Sequence, residues 1–225
     1  MDAKGPGMSR LAIFDCDGTL VDGQAAVCET MERAFAAVGA PAPDRRSIRR
    51  TVGLSLPFAV RQLTNDSSDF DSGRIVEAYK ELFRETRMSG ALHEPLYEGM
   101  ADLLGRLDRN GWLLGVATGK SDRGLHACLE THGIKHLFVT LHGADRYPSK
   151  PHPAMLEAAL AEAGVGAGDA VMIGDTSFDM EMARAAGVRA VGVAWGYHEA
   201  DELLDHGAST VAETMSELEA MIYGR

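Results

Sequence analysis

Short apolar runs, each closed by a polar or glycine-bearing turn, recur along this chain: LAIFDCDG from Leu11, WLLGVATG from Trp112, LFVTLHG from Leu137, AVMIGD from Ala170 and VRAVGVAWG from Val188. Near-continuous apolar runs suit strands covered on both faces, so each predicts a buried strand that ends in a loop. Between them apolar residues return at helical spacing over 101–110, 122–132, 154–163 and 179–186, and 199–204 reads as a surface helix. Strand alternating with helix predicts an α/β fold, a Rossmann-like doubly wound parallel sheet with helices on both faces. Functional loops in such a sheet gather at the carboxyl ends of the strands.

One stretch breaks the alternation. From Gly23 to Gly90 the pattern is helical, over 25–38, 56–63 and 74–87, with no convincing strand. We read 23–90 as an inserted all-helical cap domain and 8–22 with 91–225 as the core domain; 1–7 reads as a disordered lead. Gly23 and the Ser89-Gly90 pair at the borders suit a lid that moves as a unit.

Bulk properties narrow the picture further. At 225 residues the chain suits one sizeable core with a modest appendage. Hydrophobic content of 45% with 24% charged residues is ordinary for a globular protein. No apolar run approaches the roughly 20 residues of a membrane helix, so no membrane partner is expected. A net charge of -11 argues against nucleic acid as a partner, since such binders carry a lysine and arginine surplus. Cys16, Cys28 and Cys128 are odd in number and lack metal-ligand spacing, which fits a reducing cytoplasm.

The candidate chemistry lies at the strand ends. In Asp15-Cys16-Asp17-Gly18-Thr19 two carboxylates stand two residues apart after a hydrophobic strand, so extended geometry sends both to one face and Cys16 to the other. Like charges buried together call for a shared proton or a cation, and oxygen ligands favour magnesium. Thr118 and Gly119 end a second strand, where a hydroxyl and an amide can hold phosphoryl oxygens. Lys150 sits between Ser149 and Pro151, in a loop that Pro151 and Pro153 restrict. In Gly174-Asp175-Thr176-Ser177-Phe178-Asp179 the two aspartates can approach one metal if a helix begins between them; the same segment also suits helix capping. Together these loops supply a carboxylate nucleophile, a proton carrier, a hydroxyl, a lysine and metal-binding acids, the parts that phosphoryl transfer needs.

The four segments, in this order and at these separations, resemble the haloacid dehalogenase-like superfamily, and 23–90 resembles the cap of its phosphoglycolate phosphatase-like branch. The resemblance implies a phosphatase acting on a small phosphorylated metabolite through an aspartyl-phosphate. It implies Asp15 as nucleophile and Asp17 as general acid and base. Mg2+ would be held by the Asp15 carboxylate, the Asp17 carbonyl and Asp175, with Asp179 in support, and Thr118, Gly119 and Lys150 would bind the phosphoryl oxygens. Gly23 stands where this branch often has serine.

Asp17 speaks against a dehalogenase, and the single cap lysine, Lys80, speaks against a phosphonatase. A phosphosugar mutase of the β-phosphoglucomutase type is the alternative, weakened because the first histidine is His93; a catalytically silent binding module would lack one of the acids or the lysine. Within the cap, Arg45, Arg46, Arg49 and Arg50 precede a helix start marked by Ser55 and Pro57. We expect Arg49 or Arg50 to pair with a substrate carboxylate or second phosphate, as 2-phosphoglycolate would present. A monomer or homodimer is expected.

Overall fold

The computed structural model describes residues 9–65 and 71–224; the expected disordered lead, 1–7, lies outside the described residues. Six parallel strands form one sheet in the order β3-β2-β1-β4-β5-β6: β1 (Arg10–Phe14), β2 (Trp112–Ala117), β3 (Thr140–His142), β4 (Ala170–Gly174), β5 (Arg189–Val193) and β6 (Thr210–Ala212). The chain runs outward from β1 through β2 to β3, then crosses to β4 on the other side of β1. That reversal makes the carboxyl end of β1 the switch point at which open sheets of this kind form their sites.

The layers follow from alternation along β1. Ala12 and Phe14 point to a cluster built with Leu103, Leu104 and Leu107 of α5 (Met100–Arg109), Leu125 and Leu129 of α6 (Asp122–Thr131), and Leu218 and Ile222 of α10 (Met215–Ile222). Leu11 and Ile13 point the other way, to Met155 and Leu156 of α7 (Ala154–Ala163), Met180 and Met182 of α8 (Ser177–Ala185), and Leu203 of α9 (Ala200–Asp205). Met180 and Met182 are fully buried packing residues. Cys16 joins the first cluster beside Cys128, opposite the face the alternation assigns to the carboxylates.

Between β1 and α5 stand α1 (Gln24–Ala37), α2 (Arg45–Thr51), α3 (Leu56–Leu63) and α4 (Ser72–Met88). They close a separate cluster around Val27, Met31, Phe35, Ile48, Val60 and Ile75. Asp44 caps α2 through Ser47 N–H at 2.9 Å and Asp71 caps α4. α3 starts at Ser55 with proline in its first turn, as its sequence predicts.

Three elements depart from the expected pattern. The run from Leu137 enters the sheet only at Thr140, because Lys135–Leu137 is a 3-10 turn, so β3 is a three-residue edge strand. The arginine cluster is itself the helix α2, which apolar spacing missed because only Ile48 and Thr51 are buried there. β6 and α10 lie in a C-terminal stretch too short and too polar to stand out. No helix among the described residues is long and apolar enough to cross a membrane.

Candidate active site

The site is assembled where β1, β2 and β4 end. Asp15 follows β1 directly, its N–H donating to the Ile173 carbonyl at 2.9 Å, so the ladder holds the residue up to the point where the chain turns. Gly18 makes that turn with φ +90°, and a Cβ there would collide with the Asp175 carboxylate; only glycine allows the two loops to close on each other.

Asp15 is buried, and its oxygens differ. Oδ1 accepts from Cys16 N–H at 2.7 Å and lies 3.1 Å from Lys150 Nζ. Oδ2 is buried with no hydrogen-bond partner among the described residues. Burial pushes the Asp15 carboxyl up to about 6, against the pull of the Lys150 ammonium. Burial also works against charge on Lys150, but Asp15 and Asp179 outweigh it and keep the amine protonated. Asp175 receives Thr19 Oγ1–H at 2.7 Å and Tyr197 N–H at 2.9 Å. Burial first, then the charges of Asp15 and Asp179, push it well above the usual carboxylate range.

Asp15, Asp175 and Asp179 each bring a carboxylate oxygen within 4.8 Å of the others. Helix α8 begins at Ser177, between the last two, as their convergence requires. Asp179 already has work for both oxygens, however. Oδ1 accepts from Lys150 at 2.5 Å, while Oδ2 accepts from Thr176 Oγ1–H at 2.7 Å and Thr176 N–H at 3.2 Å. It therefore closes a capping box with Thr176 at the start of α8 and anchors the lysine. A divalent cation fits this group: the three carboxylates converge, they are dry, and their negative charge exceeds that of the one lysine.

Thr118 is buried at the end of β2, fixed by its N–H to the His142 carbonyl at 3.0 Å, with its hydroxyl oxygen accepting from Lys120 N–H at 3.3 Å. The hydroxyl also sits near the Asp15 carboxyl and favours its charged form. Gly119 lies beneath the cap, where a Cβ would meet the Gly53 and Leu54 carbonyls at 2.5 and 2.6 Å. Asp15, Asp17, Thr118 and Gly119 all open onto one cavity of about 720 Å³ between core and cap.

Sequence reasoning missed Lys120 and Glu94. Lys120 Nζ lies 2.8 Å from Asp17 Oδ1 and 2.7 Å from Glu94 Oε1, with all three side chains largely buried. Burial opposes the ammonium, and Asp17 and Glu94 more than restore it. The signal for Lys120 was its place directly after Thr118-Gly119; Glu94 carries no local signature. Trp195 and Tyr197 also brace the site: Trp195 Nε1–H reaches the Thr19 carbonyl at 3.3 Å, and Tyr197 N–H binds Asp175.

Arg50 makes a two-pronged pair with Glu202 of α9 at 2.7 and 2.9 Å, and Arg49 lies 5.9 Å from the centroid of the Tyr197 ring. Neither lines the cavity. The face of α2 that carries them turns toward α9 and the loop after β5, so Arg50 ties cap to core instead of reaching the space above Asp17.

Residues 12–193 match the family model of haloacid dehalogenase-like hydrolases, and the chain belongs to that family. It is an enzyme of the hydrolase class by that membership. The probable phosphatase IndB of Dickeya dadantii is 37% identical over 216 residues, covering 94% of this chain and 92% of that one. A phosphoglycolate phosphatase of Pseudomonas fluorescens is 30% identical, covering 94% and 79%. In three dimensions the chain is similar to CbbY from Rhodobacter sphaeroides, solved in complex with phosphate, with a TM-score of 0.79 and 25% identity over 94% of this chain and 96% of that one.

Proposed function

We propose that this protein is a Mg2+-dependent phosphatase that hydrolyses a small-molecule phosphate monoester through an aspartyl-phosphate on Asp15. The observation that carries the reading is the asymmetry of Asp15: Lys150 holds Oδ1, while Oδ2 is buried without a partner. That arrangement leaves one oriented oxygen to attack phosphorus. Asp15 Oδ2 forms the new bond to phosphorus as the ester oxygen departs with the bonding pair, and Asp17 gives that oxygen its proton. Asp17 then takes a proton from water; the hydroxide attacks phosphorus, the bond to Oδ2 breaks, and inorganic phosphate leaves.

Thr118 Oγ1–H, Gly119 N–H and Lys150 would bind the phosphoryl oxygens throughout. Mg2+, held by Asp15, the Asp17 carbonyl and Asp175, would offset the charge of the phosphoryl group and the carboxylates. Asp179 acts from behind by fixing Lys150. Lys120, clamped by Glu94, would hold Asp17 toward the leaving group.

In this reading 23–90 acts as the cap over a core of 8–22 and 91–225, the cavity is closed when the two meet, and the substrate is a soluble metabolite in the cytoplasm. Hydrolysis of p-nitrophenyl phosphate tests the reading. The expected result is activity with Mg2+, little after chelation, and a loss of at least about 10³-fold in Asp15→Asn. Equal activity with and without the metal, or an active Asp15→Asn, would be fatal to it.

A further inference from the structure

Apolar side chains of the cap form part of the cavity lining. Val27 and Met31 of α1, Leu54 and Leu56 beside α3, and Tyr79 and Phe83 of α4 all contribute. Tyr79 and Phe83 stack, with centroids 5.6 Å apart and planes 18° from parallel, and Phe83 lies 5.5 Å from Lys120 Nζ. The aromatic pair therefore stands next to Asp17, where the leaving oxygen of the substrate must sit. Burial raises the pKa of the Tyr79 phenol, and the charges it senses are those of Lys120, Asp17 and Glu94.

The charges around that spot are already negative. Asp15, Asp17, Glu94, Asp175 and Asp179 are set against Lys120 and Lys150, so one divalent cation still leaves an excess of carboxylate. Lys120 is shared between two of them. Of the other cations that line the cavity, Lys80 and Arg84 are exposed and paired with Glu77 and Glu81 of their own helix. Arg87 lies against the Phe83 ring and Arg123 is exposed, and among the described residues neither pairs with Asp15, Asp17 or Glu94. Arg50 is held by Glu202. A carboxylate beside the ester carbon would add to this excess of negative charge next to Asp17 and the aromatic rings.

We infer that the substrate is the phosphate ester of an uncharged alcohol whose apolar or aromatic body packs on Tyr79 and Phe83, and that 2-phosphoglycolate is a poor substrate. The inference rests on the phosphatase reading and narrows it. A leaving group of this kind exchanges water for ring faces and aliphatic wall, and the size of the cavity accommodates a body well beyond two carbons.

The test compares two primary-alcohol esters, benzyl phosphate and 2-phosphoglycolate, by kcat/KM with Mg2+, with p-nitrophenyl phosphate as control. The expected result is a preference for benzyl phosphate of at least about tenfold. Equal or better use of 2-phosphoglycolate overturns the inference while leaving the phosphatase reading intact, whereas no hydrolysis of any of the three overturns both. Tyr79→Leu supplies a second readout that does not depend on how much of the variant is active: the ratio of the two kcat/KM values should fall about fivefold. An unchanged ratio removes Tyr79 from the account.

Discussion

The floor and the roof of the cavity are built on different principles. The floor is a set of charged groups at or just beyond the strand ends, each held by bonds from the loops that follow the strands: Asp15 by Cys16 N–H and Lys150, Asp175 by Thr19 and Tyr197, Asp179 by Thr176. The roof is helical, packed around its own cluster, and lines the cavity with aliphatic and aromatic side chains beside the exposed charges of α4. The contrast separates two jobs. Chemistry that depends on charge is placed on the rigid sheet, where misplacement is costly, while selection by shape and apolar contact falls to a body that can be rearranged without disturbing the acids.

Perturbing the floor should therefore have the larger effects. Lys150→Met strands Asp15 and Asp179 together in a dry site. We expect a loss of about 10²-fold or more in kcat and on the order of 3 kcal/mol in stability, read by steady-state kinetics and urea unfolding. A variant with near-normal kcat would mean that Lys150 is structural only.

The next effect down is a pH dependence of the metal-free protein. Folding raises the Asp15 carboxyl from 3.8 to about 6, so between these values the folded state holds a proton the unfolded state has released. Stability contributed through this group is greatest at low pH and declines as pH rises toward and past 6. In chelator, Asp15→Asn should thus be more stable than the wild type at pH 7, by about 1 kcal/mol or more, with the gap closing near pH 4. Saturating Mg2+ should erase the advantage at pH 7. Thermal melts across pH with and without the metal check both signs, and a gap that widens toward pH 4 would refute the assignment.

Perturbing the seam between floor and roof should do least. Arg50 is about half exposed, so Arg50→Ala should cost under about 1 kcal/mol and change kcat/KM only a few-fold. A loss that appears with anionic substrates alone would restore Arg50 to substrate recognition.

The same contrast governs what the sequence makes legible. Asp15, Asp17, Thr118, Lys150 and Asp175 stand at the ends of apolar runs or beside prolines, where local pattern reports position, and the four segments carry them to one place through a topology the alternation predicts. The clamp of Lys120 by Glu94, and the pairing of Arg50 with Glu202, join residues 26 and 152 positions apart. The first depends on the path the chain takes back into the core after α4 and the second on how the helices of 24–88 settle over the sheet, and no periodicity encodes either. The carboxylate partners of Arg45 and Arg50 were invisible until the chain was folded. β6 was missed for a related reason, since a three-residue edge strand gains its place from β5 and not from its own apolar content.

The claim on which the rest depends is that Asp15 Oδ2 carries the phosphoryl group. Acid quench of the enzyme in turnover with Mg2+ and p-nitrophenyl phosphate, followed by peptide mass spectrometry, tests it most directly. The account predicts one phosphoryl group on Asp15, formed within a single turnover, lost on chase with water, and absent in Asp15→Asn. Steady turnover with no covalent phosphate at that residue, or with the label on another side chain, would contradict it.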